Sequence, residues 1–148
     1  MLFPRAFTVL EANALVPLLA ERFKQISALL ADGRRLQTAL EEAETQVDTE
    51  GREGSRVAVA SAGHLGQELS ALEASLREHL WELMRAGVQV KALEPATVDV
   101  RALRKGHPVN LCWREGEPAF GHWHQLDETF ADRHSIDDDG LFGETAVC

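Results

Sequence analysis

The chain has 148 residues, of which 45% are hydrophobic and 26% are charged, a composition typical of one globular domain. Its 24 acidic and 15 basic side chains give a formal net charge of −9, which disfavours binding to nucleic-acid phosphates or to an anionic membrane surface. No apolar run approaches a membrane span, no signal peptide is visible, and two cysteines do not make a disulfide framework. We therefore expect a cytoplasmic protein with no nucleic-acid partner and no membrane partner.

The first 87 residues carry the pattern of two long helices. Thr8 and Glu11 have the spacing of a capping box, and apolar residues then recur every three or four positions through Val47. Pro17 lies inside this stripe, so we expect a kink in the turn before it. Residues 48–54 contain two glycines and four charges, which predicts a turn. A second apolar stripe follows and ends at Gly87, a residue type suited to the left-handed position after a helix.

Two long helices joined by a short turn form an antiparallel hairpin. Each helix of a hairpin buries one apolar stripe, which leaves other apolar residues such as Val59, Trp81 and Met84 in need of a further surface. That surface is either the C-terminal third of the chain or another copy of it. We therefore expect a homo-oligomer, a dimer that associates through its helical hairpins, with a different protein as the alternative partner.

From Val88 onward the apolar pattern has the period of two that is typical of β-strands. It predicts strands over 88–91, 97–100, 108–114 and 119–124, a hairpin turn at 115–118, and a short helical turn between Asp127 and Arg133. The last residues, 135–148, include three consecutive aspartates and are expected to form a flexible acidic tail. The predicted fold class is α+β, as a single domain with a helical hairpin over 8–87 and a small, mainly antiparallel sheet over 88–134.

The densest set of chemically capable side chains lies between Cys112 and Asp127. His122 and His124 alternate on a predicted strand, so both would face the same side and could offer two imidazoles to one metal ion. Asp127, Cys112 or Glu117 could supply a further ligand, and zinc accepts these nitrogen, oxygen and sulfur donors. The alternative is a hairpin with solvent-facing histidines, because this spacing matches no established metal signature.

A second set of polar residues flanks the predicted hairpin turn. A bidentate ion pair between Arg114 and Glu117 would fix the register of the hairpin. Arg114 would instead line an anion pocket if its guanidinium worked together with Trp113 or Trp123. Cys112 lies in an apolar strand, and we expect it to be a buried structural thiol rather than a nucleophile.

Residues 111–117 read Leu-Cys-Trp-Arg-Glu-Gly-Glu, and Trp-His follows at 123–124. Together with Phe7-Thr8 near the start, these motifs resemble a bacterial family catalogued as a domain of unknown function, some of whose members carry labels pointing to cell division. The resemblance runs from Phe7 to Ile136. It implies a shared site at its matching polar positions, which are Cys112, Arg114, Glu117, His124 and Arg133.

The sequence departs from this family at three positions. Ala92 stands where the family tends to have an acidic residue, and Val100 stands where it tends to have Phe. His122 stands where the family tends to have an aromatic or other residue. The last departure weakens the prediction of a metal site that uses two histidines of one strand.

Three functions remain open on this basis. The preferred one is a non-catalytic interaction and assembly module. The second is a small-ligand-binding or metal-binding protein with Arg114, Glu117 and His124 in one pocket and Arg133 as a further ligand-binding candidate. The third is a metal-assisted hydrolase in which His124 is ligand or base, and it ranks last because no catalytic spacing is recognised. A divalent metal such as zinc is the one cofactor that these residues suggest.

Overall fold

The computed structural model describes residues 5–49, 52–137 and 141–143. Three helices come first: α1 (Val9–Ala14), α2 (Val16–Thr49) and α3 (Arg52–Arg85). The strands that follow are β1 (Val88–Leu93), β2 (Ala96–Arg104), β3 (His107–Arg114), β4 (His122–His124), β5 (His134–Ser135) and β6 (Phe142–Gly143), with a 3-10 turn at Phe130–Asp132 before β5. The predicted α+β class is confirmed. None of the helices in the described ranges is long and apolar enough to cross a membrane.

Local sequence signals set the ends of the helices. The Thr8 hydroxyl accepts a hydrogen bond from the Glu11 amide at 3.1 Å, and the Glu11 carboxylate accepts one from the Thr8 amide at 2.9 Å, which is the predicted capping box. Leu15 separates α1 from α2, because Pro17 lacks an amide donor and its ring disturbs the preceding turn. Gly87 has a φ of +92°, the left-handed conformation predicted for the residue after α3.

Contacts divide the chain into two compact units, Gln25–His79 and a second unit formed by Met1–Lys24 with Leu80–Cys148. In the first unit α2 and α3 run antiparallel, because α3 begins three residues after α2 ends and Gly33 of α2 packs beside Leu72 of α3, where a Cβ would lie 3.5 Å from Cδ2. The predicted turn over 48–54 is shorter than expected, because α2 continues to Thr49 and α3 begins at Arg52. Its centre lies outside the described residues.

The second unit contains a six-stranded sheet with the order β1-β2-β3-β4-β5, in which β6 pairs with β2. All of these pairs are antiparallel. Ser135 ends β5 and Phe142–Gly143 forms β6, so these parts of the predicted acidic tail belong to the sheet. The buried Phe142 ring lies 6.3 Å from that of Trp123, and this apolar contact adds to the backbone pairing of β6 with β2.

The two faces of the sheet differ in chemistry. Val98 pairs with Trp113 and Asp99 pairs with Cys112 across β2 and β3, and side chains alternate between the faces along each strand. One face is therefore apolar and carries the buried residues Val98, Val100, Leu111 and Trp113. The other face is polar although it is also buried, and it carries Thr97, Asp99, Asn110, Cys112 and His124. A buried polar face requires partners for its polar groups, which makes it the place to look for a functional site.

Candidate functional site

Three neighbouring strands place three metal-ligating side chains together on the polar face. Asp99 of β2 lies directly opposite Cys112 of β3, and His124 is supplied by β4. The three residues are 2%, 0% and 3% exposed, respectively. One potential ligand atom from each residue lies within 4.8 Å of the others. In the described parts of the chain, these are the residues found to bring three metal-ligating side chains this close together. We call it the Asp-Cys-His cluster.

The hydrogen bonds of His124 define the state of this cluster. Nδ1 lies 2.7 Å from the carbonyl oxygen of Gln125, and Nε2 lies 3.1 Å from both carboxylate oxygens of Asp99. A carbonyl oxygen only accepts, so Nδ1 carries a hydrogen and donates it. In a neutral imidazole the Nε2 lone pair would then face a carboxylate. The contact between the two residues therefore requires either a proton shared by them or a cation bound by both.

Cys112 completes the cluster as a thiol that is hard to ionise. Burial raises the pKa of Cys112 to about 11, and the negative charge of Asp99 acts in the same direction. Nη1 of Arg133, 4.0 Å from the sulfur, is the main influence in the opposite direction. The predicted burial of this thiol is confirmed. At neutral pH it is protonated and a poor nucleophile unless a bound cation stabilises the thiolate.

A cleft of about 340 Å³ opens onto the cluster. Asp99 and His124 line it together with Thr97, Asn110, Arg114 and Phe130, and Lys91 and Glu128 also contribute to its walls. Its volume is at the lower end of the range of about 300–1,000 Å³ for small-molecule sites. The cleft therefore combines two buried members of the cluster with a charged wall, at a size that fits a small molecule.

Arg114 is held in the cleft by groups that leave part of its guanidinium available. Its Nε donates a hydrogen bond to the Thr97 hydroxyl at 3.1 Å, and its guanidinium carbon lies 3.5 Å from the centre of the Phe130 ring. Among the described residues, no hydrogen-bond partner is found for either terminal nitrogen. A guanidinium that is fixed at Nε and open at its ends is suited to bind a carboxylate or phosphate.

The predicted ion pair between Arg114 and Glu117 is wrong, because Glu117 pairs with a different arginine. Its carboxylate accepts hydrogen bonds from Arg133 at 2.6 and 3.1 Å and from the Arg114 backbone amide at 2.7 Å. Burial alone would raise the pKa of Glu117, but these hydrogen bonds outweigh it and lower the pKa below its ordinary value of 4.5. The hydrogen bond to Glu117 in turn raises the pKa of Arg133. Glu117 and Arg133 thus brace the β3–β4 turn beside the cleft instead of lining it.

The predicted metal ligands are only partly brought together. Cys112 and His124 belong to the cluster, whereas His122 and Asp127 do not, and Asp99 takes their place. The predicted ligands all lie in one continuous segment that begins at Cys112, whereas Asp99 lies thirteen residues before that segment, on β2. The sequence does contain a feature that points to Asp99. It is a carboxylate between Val98 and Val100, in a strand whose alternating side chains place it on the polar face of the sheet.

The chain belongs to a family of uncharacterised conserved proteins, DUF2203, whose model matches residues 5–136. This span includes both long helices, β1 to β5, the cluster and every residue that lines the cleft. The predicted resemblance to a family of unknown function is thereby confirmed. Searches of curated proteins and of solved structures gave no match.

Proposed function

We propose that this protein binds a zinc ion through Asp99, Cys112 and His124 and uses the ion to bind a small anionic molecule in the cleft. One observation carries the proposal: a nitrogen, an oxygen and a sulfur donor, all buried, lie within 4.8 Å of one another. Burial of these groups without a compensating cation is costly, so their proximity calls for a specific role.

The donor set selects the metal. Zinc combines imidazole, thiolate and carboxylate ligands, whereas magnesium and calcium prefer oxygen donors alone. A thiolate and a carboxylate supply two negative charges, which balance the charge of a divalent ion. Three protein ligands are also typical of zinc sites that keep a fourth position for water or another molecule.

The surroundings of His124 support the same assignment. A histidine that ligates a metal through one ring nitrogen usually donates the hydrogen of the other to a carbonyl or carboxylate, as Nδ1 does to Gln125 at 2.7 Å. In a tetrahedral zinc site, nitrogen and oxygen ligands stand about 3.4 Å apart, from bond lengths of about 2.0–2.2 Å. The spacing of 3.1 Å between Nε2 of His124 and the Asp99 carboxylate is close to that value.

The anionic ligand is inferred from the charges around the cleft. Arg114 offers the ends of its guanidinium and Lys91 adds a second cation to the lining, whereas the carboxylate of Glu128, also in the lining, is engaged by the Gln125 amide and His134. A buried Asp99 carboxylate without a counter-charge would repel an anion, and a bound zinc ion would neutralise it. We therefore expect the affinity for an anion to depend on zinc.

The experiment is a zinc titration of desalted protein by isothermal titration calorimetry, with native mass spectrometry to count the ions. One zinc per chain is expected, with affinity reduced about 100-fold or more in His124→Gln, since the loss of a supporting outer-shell group alone costs about 10–100-fold. His122→Gln is the matched control on the same strand and should bind as the wild type does. Equal losses in both variants, or no zinc binding by the wild type, would refute the site.

Cobalt provides a readout that does not depend on the histidine variant folding. Cobalt bound through Cys112 gives a near-ultraviolet thiolate charge-transfer band, which Cys112→Ser, a substitution of nearly the same size, should remove. For the anion, inorganic phosphate should bind the zinc-loaded protein and bind Arg114→Gln more weakly, with the affinity for zinc unchanged. Phosphate binding that is equal with and without zinc would contradict the coupling.

Self-association through the hairpin is a second candidate function, favoured by exposed apolar residues on α3. Val57 and Val59 are 69% and 56% exposed. The two valines lie on either flank of the buried Ala58, and a second hairpin packed along this stretch of α3 would remove both from water. Native mass spectrometry should detect a dimer that Val57→Asp combined with Val59→Asp converts to a monomer. A wild-type protein that stays monomeric at high concentration would rule this function out.

A further inference from the structure

A second and larger cavity follows the edge of the sheet. It has a volume of about 1260 Å³, and all six residues of β1 line it, together with residues from the C-terminal end of α3. Two of these, Trp81 and Met84, are 52% and 56% exposed although both are large and apolar. We call this cavity, bounded by β1 on one side and by Trp81 and Met84 on the other, the edge groove. It exceeds the range of about 300–1,000 Å³ for small-molecule pockets.

The edge groove exposes a strand that can accept a further strand. Among the described strands, β1 pairs with β2 and with no other, so it forms one edge of the sheet. The outer backbone N–H and C=O groups of an edge strand are a template for pairing with another chain. A groove between an edge strand and a helix is the arrangement in which extended peptides bind by strand addition.

The charges of the edge groove are all of one sign. Arg5, Arg85, Lys91 and Arg101 line it, and no acidic residue is among its lining residues, although Arg5 forms an ion pair at 2.7 Å with Glu11 outside the groove. This contrasts with the net charge of −9 of the whole chain. A basic, apolar groove on an acidic protein selects partners of opposite charge and repels those of like charge.

We propose that the edge groove binds an extended segment of another protein in which apolar and acidic residues alternate, and that this segment adds to β1 as a further strand. Val90 pairs with Val98 and therefore lies on the apolar face, whereas Gln89 pairs with Asp99 and lies on the polar face. Lys91 lines both the edge groove and the cleft, which places it towards the polar side. Apolar residues of the segment thus contact Trp81 and Met84, and its acidic residues contact Lys91.

A second copy of this chain is a poorer occupant of the edge groove. Pairing of β1 with β1 across a two-fold axis would bring the four lining cations of each copy into one interface, without an acidic residue from either groove. The register shift between Val90 and Ala92 and the exposed Lys91 are also features that hinder pairing between like edges. Lys91 would attract an acidic segment, whereas it would repel the Lys91 of a second copy.

The inference does not depend on zinc, although Lys91 lines the cleft as well as the edge groove, and its test uses the full, zinc-free chain. The probe is a fluorescein-labelled octapeptide of alternating valine and glutamate, and its binding is followed by fluorescence anisotropy. Lys91→Glu should weaken binding about tenfold or more, because it replaces an attraction by a repulsion. Lys24→Glu, at an exposed lysine of α2 outside the groove, is the matched control and should change binding less than twofold.

Two further peptides separate strand addition from simple charge attraction. A peptide with N-methyl groups on alternate amides cannot complete the backbone pairing and should bind at least about tenfold more weakly. A peptide of the same composition with its glutamates in one block should also bind weakly. Equal binding of all three peptides, or equal binding by Lys91→Glu and the wild type, would overturn the proposal. The proposal would also be overturned if, without peptide, the protein formed a dimer in which the β1 amides were protected from hydrogen exchange.

Discussion

The bracing of the β3–β4 turn can be tested by Glu117→Gln, which removes one negative charge and keeps the shape of the side chain. Three hydrogen bonds converge on this carboxylate, two from Arg133 and one from the Arg114 amide. The side chains of Arg133 and Glu117 are only 18% and 23% exposed, so solvent screens the pair less than it screens a surface ion pair.

The expected loss follows from the number and type of these bonds. Hydrogen bonds to charged groups contribute about 1.5–3 kcal/mol each, and the glutamine oxygen retains part of that network. We expect Glu117→Gln to lower the free energy of unfolding by about 2 kcal/mol. For a chain of this length, that corresponds to a fall in Tm of about 4–8 °C. Glu73→Gln, at an exposed helix position, should change stability by less than about 0.5 kcal/mol.

The contribution of Glu117 to stability should decrease as the pH is lowered. The pKa of Glu117 is lowered in the folded protein from an ordinary value of 4.5. Its contribution to stability is therefore fully present above 4.5 and is lost as the pH falls through the lower folded-state pKa. Urea unfolding should show a difference between wild type and Glu117→Gln near neutral pH that shrinks under acid conditions. Equal stability near neutral pH, or a difference unchanged in acid, would refute this reasoning.

Four other substitutions have expected outcomes that urea unfolding can measure. Phe130→Leu removes the ring that lies 3.5 and 3.9 Å from the guanidinium carbons of Arg114 and Arg133, and should cost about 1–3 kcal/mol; an unchanged stability would contradict the two cation–π contacts. Gly87→Ala should cost about 1–3 kcal/mol, because φ is +92° and the new Cβ would lie 3.0 Å from the Phe7 ring. Gly66→Ala, in open space on α3, should instead stabilise the protein by up to about 1 kcal/mol. Thr8→Ala should cost about 1 kcal/mol through loss of the capping box, and a neutral result would show that the cap is dispensable.

The parts of the fold that sequence predicts well are those set by local chemistry. The capping box at Thr8, the helix interruption before Pro17 and the left-handed Gly87 each depend on a few adjacent residues. The alternation of apolar and polar residues after Val88 identified the strands for the same reason. The bounds of α2 and α3 at their shared turn were less predictable, because helix ends fray and helix-compatible charged residues continue into the turn.

The site was predictable only in part, because it depends on pairing between distant residues. Cys112 and His124 were identified from one dense segment, but Asp99 joins them only through the register of β2 against β3. Glu117 likewise pairs with Arg133 and not with Arg114 for a non-local reason. Arg133 directly precedes β5, and the pairing of β5 with β4 brings it beside Glu117. Residue spacing along the sequence does not encode such choices.

Zinc K-edge X-ray absorption on the one-to-one zinc complex tests the proposed function most directly, because it reports the atoms bound to the metal. With Asp99, Cys112 and His124 as ligands, the spectrum should contain one sulfur at about 2.3 Å and nitrogen or oxygen neighbours at about 2.0–2.2 Å. Cys112→Ser should remove the sulfur and leave the other neighbours in place. A wild-type spectrum without sulfur, or with more than one, would contradict the proposed site.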